Sequence, residues 1–86
     1  MTGRFAVSKA GHDSGTCYII VGEEGDFVYL CDGRKRKLEG PKKKRKKHIQ
    51  ITGRTVPEEL LQRLKTGKRV RNEEVKYAIK QYLKDI

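Results

Sequence analysis

Residues 34–54 hold eleven lysines and arginines against a single acid, Glu39, in a chain of 86 residues whose net charge is +10. That segment constrains the fold more than any other, because burying an unpaired cation is prohibitively costly. The run Lys42–Lys47 is six successive cations, and by itself it belongs outside any core. The core must come from the flanks, whose charges offset each other: residues 1–33 carry net −3 and residues 55–86 net +3. A cation belt focused in one quarter of a chain calls for a polyanionic partner or for exposure to solvent.

The N-terminal flank reads as β-structure. Residues 4–10 alternate with Phe5 and Val7 on one face, and the glycine-bounded loop 11–15 follows. Residues 17–22 and 27–31 are short β-branched and aromatic runs separated by Glu-Glu-Gly-Asp. Asp32-Gly33 is a hairpin signal of the type I′ kind, which predicts a fourth strand over 34–39, ended by Gly40-Pro41. In that register Arg36 lies opposite Tyr29 and Leu38 opposite Phe27. Residues 48–52 alternate through Ile49 and Ile51 as a fifth strand. Five short strands joined by tight turns suit a small closed barrel, which removes exposed edges.

The C-terminal flank changes period. Thr55-Val-Pro-Glu58 matches a helix-capping box with Pro57 in the first turn, and Gly67 supplies the stop. Leu60, Leu61 and Leu64 form the apolar stripe between them. A second helix begins near Asn72, a good N-cap, with Val75, Ala78, Ile79, Tyr82 and Leu83 on one buried face. Lys76, Lys80 and Lys84 run beside that face, as a solvated row or an interfacial membrane contact. The expected organisation is therefore a barrel over 1–54, with a basic insertion at 41–48, and a helical extension over 55–86 packed on it.

Several function classes are disfavoured. A chain this short encloses little interior, which argues against a deep substrate pocket. His12, Asp13 and Ser14 are consecutive, whereas a catalytic triad is assembled in space. Cys17, Cys31, His12 and His48 lack the close paired spacing of structural zinc sites. The loop Gly11–Gly15 is either a tight β connection or an anion nest, and it matches no nucleotide-binding fingerprint. The expectation is a non-enzymatic monomer with no cofactor, no metal and no small-molecule substrate. No apolar run reaches membrane-spanning length, no secretory signal is apparent, and two cysteines are too few for a disulfide framework, so the cytoplasm is the expected compartment.

The belt itself has three readings. It is a solvated loop, a nuclear-import signal of the Pro-Lys-Lys-Lys-Arg-Lys type at 41–46, or a phosphate-binding surface. A run spliced between two strands is held against a folded surface, which favours phosphate binding. The candidate contacts are Arg34, Lys35, Arg36, Lys37, Lys42, Lys43, Lys44, Arg45, Lys46, Lys47 and His48, with Lys9 and His12 flanking the glycine loop. Arg36 over Tyr29 is a candidate cation–π pair, and Tyr29 is either core or a base-stacking platform. Charge reversal at Lys43, Lys44 and Lys46 is expected to leave the fold intact. Rival readings are a module that docks an acidic protein and a binder of duplex DNA.

The segment RFAVSKAGHDSGTCYIIVG (residues 4–22), continued by CDGRKRKLEGPKKKRKKH (residues 31–48), resembles the KOW motif of small bacterial RNA-binding proteins related to archaeal and eukaryotic large-subunit ribosomal proteins. The resemblance extends over about residues 3–52, with Gly11 and Gly15 at the motif's glycine positions. Ser14 stands where the motif commonly has lysine, and Tyr18 where it often has glycine. The resemblance implies an SH3-like barrel, RNA binding and association with ribosomes or translation, with ribosomal RNA as partner. It leaves the Arg34–Lys47 belt, rather than the loop tip, as the surface for RNA.

Overall fold

The computed structural model describes all 86 residues. The elements in chain order are β1 (Arg4–Ser8), β2 (Cys17–Glu24), β3 (Phe27–Cys31), β4 (Lys42–Arg45), a 3₁₀ turn (Lys46–His48), β5 (Ile49–Thr55), α1 (Glu58–Thr66) and α2 (Asn72–Lys84). The strands form one antiparallel sheet in the order β4-β3-β2-β1-β5. Strands β1, β2, β3 and β5 lie within a few residues of where alternation placed them.

The sheet is curled and open. Five flat strands would hold β4 and β5 about 19 Å apart, yet the link from Arg45 to Ile49 reaches at most about 14 Å. A sheet whose outer strands are joined by one 3₁₀ turn has to bend toward itself. No ladder joins β4 to β5.

Curling gives the sheet two buried faces. On one, Phe5, Cys17, Ile19 and Cys31 pack against Val56, Leu60 of α1, and Val75, Ala78, Ile79 and Tyr82 of α2. The rings of Phe5 and Tyr82 stack 4.2 Å apart and nearly parallel, which fixes α2 to β1. Ala6, Tyr18, Ile20, Val28, Leu30 and Ile49 make the second core, inside the curl. Helix α1 ends at Gly67, in the left-handed conformation at φ 73°, as a glycine after a last apolar turn predicts.

Several expectations are corrected. The fourth strand is not 34–39 but Lys42–Arg45, so Tyr29 pairs with Lys43 and Phe27 with Arg45. A type I′ turn needs positive φ at both central residues, and only Gly33 has it, at 79°. Asp32 instead accepts hydrogen bonds at Oδ1 from the Arg34 and Arg36 amides, each at 2.9 Å, which winds residues 32–36 into a loop. That loop is held on α2: Asn72 Oδ1 accepts the Leu38 N–H at 2.8 Å, and a Cβ on Gly33 would fall 2.4 Å from the Asn72 carbonyl oxygen.

The helix caps differ for the same reason. With Asn72 engaged by the loop, Arg71 is the N-cap of α2, and Glu74 reaches back to accept the Arg71 N–H at 3.1 Å. Thr55 ends β5 instead of capping α1, whose N-cap is Pro57. Leu83 is 51% exposed, beyond the part of α2 that the sheet covers.

Candidate nucleic-acid interface

The belt follows one edge of the sheet: the 32–41 loop leads into edge strand β4, and the 3₁₀ turn carries the chain away. A lysine strand is a poor β-former but a good edge, since charge discourages pairing with another chain. Side chains alternate across a strand, so β4 splits its own cations. Lys42 and Lys44 point toward the inner core, opposite Leu30 and Val28, while Lys43 and Arg45 point away, opposite Tyr29 and Phe27.

The inward pair meets Asp13, held over the curl by the glycine-bounded loop. Lys44 Nζ donates to Asp13 Oδ1 at 2.6 Å, to the Ala10 carbonyl at 2.8 Å and to the Ser8 hydroxyl, which uses all three ammonium protons. Lys42 Nζ donates to Asp13 Oδ2 at 2.8 Å, and so does the Tyr18 hydroxyl, also at 2.8 Å. The Ser8 hydroxyl donates to Oδ1 at 2.9 Å. Both carboxylate oxygens therefore accept two bonds each. The Lys44 and Asp13 side chains are only 10% and 14% exposed. A cation does enter the interior, because a fully bonded counter-charge meets it there. The expectation that reversing Lys44 would spare the fold is overturned, and the 11–15 loop aims a carboxylate inward instead of nesting an anion.

Burial alone would raise the Asp13 pKa. The ammoniums of Lys42 and Lys44 and the hydroxyls of Tyr18 and Ser8 outweigh it and hold the carboxyl far below the usual range. Burial, reinforced by Asp13, raises the Tyr18 hydroxyl well above its ordinary value. Glu74, bonded by Arg63, is lowered to about 2. Because the native carboxyls bind protons less readily than the unfolded ones, their stabilisation is complete above about pH 5 and fades as pH falls toward the native values. Stability measured by denaturant titration is expected to fall steeply below about pH 4. Asp13→Asn should remove most of that slope and leave the part due to Glu74, with smaller parts from exposed Glu23 and Glu39.

Most of the rest of the belt is free. Arg34, Lys35, Arg36, Lys37, Arg45 and Lys47 are exposed and in no salt bridge. Lys43 makes only a 3.5 Å contact with exposed Glu24, and half-buried Lys46 pairs with Glu23 at 3.0 Å. The expected pairing of Arg36 with Tyr29 is replaced by Lys43 Nζ and Arg45 Cζ, 4.6 Å and 4.9 Å from the centre of the Phe27 ring. Tyr29 belongs to neither core, and its hydroxyl donates to Glu24 at 3.0 Å. Lys9 and His12 are exposed beside the Asp13 loop and join no salt bridge, and the carbonyl of half-buried His48 accepts the Lys9 N–H at 2.8 Å.

The two cysteines lie in the helix-covered core, where burial pushes Cys17 up to about 11 and Cys31 up to about 12. They do not meet His12 or His48, and no three His, Cys, Asp or Glu residues cluster as metal ligands do. No helix is long and apolar enough to cross a membrane.

The alternation pattern missed Asp13, whose only signal is an acid bounded by glycines in a loop, and it missed Phe27 as a partner for cations. It also missed Lys76, whose side-chain stem lies 2.7 Å from where a Gly33 Cβ would be, beside the 34–37 loop. Comparison with protein-family models and with curated protein sequences gives no match to this chain.

Proposed function

We propose that this chain is a non-enzymatic RNA-binding protein of the SH3-like KOW kind, gripping the backbone of structured RNA along the β4 edge. The observation that carries the reading is the division of the belt. Lys42 and Lys44 share the Asp13 carboxylate, yet six neighbouring cations stay exposed without a carboxylate partner. Self-repelling charge kept on an ordered loop, edge strand and turn is understandable when a polyanion neutralises it. The strand order and the 3₁₀ turn between the outer strands suit an SH3-like barrel, and residues 4–22 and 31–48 supply the likeness to KOW proteins. Ribosomal RNA is the proposed partner, bound by a monomer in the cytoplasm.

Competition decides the class of nucleic acid. A structured ribosomal RNA fragment is expected to displace a duplex DNA of equal charge from the protein, because the A-form helix and its 2′-hydroxyls present a different surface. Displacement in the other direction would make this a DNA-binding protein.

A further inference from the structure

We infer that the end of β3 and β4 holds a subsite for one unpaired nucleotide, its base stacked on Phe27 and its phosphate held by Arg45 and Lys47. The inference rests on the RNA-binding reading and adds the kind of nucleotide the surface takes.

Three observations converge. Phe27 is an aromatic side chain that belongs to neither core. By register it shares a sheet face with Ile19 and Cys31, which the helices cover, but it lies four residues further along β3 where they do not. The half-buried ring carries two cations, Lys43 and Arg45, at 4.6 Å and 4.9 Å from its centre. Tyr29, beside it, is fixed by its hydrogen bond to Glu24 and lies against Gly22, where a Cβ would be 3.5 Å from its ring. The platform is thus one hydrogen-bonded neighbour and one ring lapped by two exposed cations.

A recess of about 390 Å³ adjoins the platform, lined by Asp26, Arg45, Lys46 and Lys47. Arg45 belongs to both, since it pairs with Phe27 and lines the recess. Asp26 gives its backbone carbonyl to the Lys46 N–H at 2.8 Å, which fixes the floor, and Glu23 holds the Lys46 ammonium. Arg45 and Lys47 remain for an anion, two cations against the one exposed carboxylate, Asp26, that shares the recess. A base stacking on the ring outweighs an exposed cation–π contact, and the displaced cations can turn to the phosphate without being stranded. Duplex bases are already stacked within the helix and cannot take this position, so the subsite selects an unpaired nucleotide.

The test uses the whole chain and two probes, a single-stranded RNA of about ten mixed nucleotides and an RNA duplex of equal charge. Phe27→Leu, which keeps the apolar bulk, is expected to weaken single-strand binding about tenfold and duplex binding less than about twofold. The slope of log affinity against log salt should not change, since no phosphate contact is removed. Phe27→Trp should restore single-strand affinity. Equal loss on both probes, or no loss on the single strand, would overturn the subsite and leave the RNA-binding reading standing. Absence of binding to either probe by the unaltered protein at low salt would overturn both.

Discussion

Asp13→Ala is expected to remove most of the protein's stability at room temperature. Its carboxylate accepts four hydrogen bonds, two from lysines on β4, one from Ser8 of β1 and one from Tyr18 of β2. Removing it leaves the Lys44 ammonium in the interior with only neutral acceptors and leaves the Tyr18 hydroxyl without its partner, while Ser8 can still donate to the Ala10 carbonyl at 3.1 Å. Breaking a buried ion pair from one side costs about 3–5 kcal/mol, and a chain of this size has only about 5 kcal/mol in all. The lysines should matter less, and unequally. Lys44→Ala leaves Asp13 bonded to Lys42 and both hydroxyls, at a cost of about 2 kcal/mol. Lys42 is 26% exposed, so Lys42→Ala should cost about 1 kcal/mol or less. Denaturant unfolding of the three variants checks the order Asp13, Lys44, Lys42. An Asp13→Ala protein within about 1 kcal/mol of the parent would mean that the network does not hold the curl closed.

The same network shows where the sequence was legible and where it was not. Strands β1, β2, β3 and β5 and both helices follow apolar periodicity, which depends on residues close together in the chain. Val75, Ala78, Ile79 and Tyr82 are buried on the helix-covered face as their spacing requires. Strand β4 carries no such signal, because Lys-Lys-Lys-Arg looks the same on both faces. Its inward side is defined by Asp13, 29 to 31 residues away, a separation that no local pattern conveys. Asp32-Gly33 misled for a related reason: the Asp32 carboxylate bonds two amides of its own loop, and Asn72 then holds that loop on α2. Both are side-chain to backbone bonds that compete with regular pairing. Leu83 fits the helical period but lies where the sheet ends. In the candidate site, the cations were evident from composition, whereas their division into bonded and free sets required the fold.

Replacing Arg34, Lys35, Arg36 and Lys37 together with glutamine is expected to cost at least about a hundredfold in RNA affinity at about 50 mM salt. The four side chains are exposed and in no salt bridge. The loop keeps its shape because the Arg34 and Arg36 backbone amides, not their side chains, bond Asp32. Stability should therefore stay within about 1 kcal/mol of the parent, which separates this variant from Asp13→Ala. Each lost phosphate contact removes about 0.7–0.9 from the salt slope, so the four together should reduce it by about 3. Retention of affinity within a few-fold would place the RNA surface elsewhere.

The most direct measurement of the central claim is the affinity of the unaltered protein for a ribosomal RNA fragment across a salt series. Six exposed, unpaired belt cations, each on one phosphate, predict a slope of log affinity against log salt of about −4 to −5. A slope near zero, or no binding at low salt, would contradict a phosphate-gripping edge.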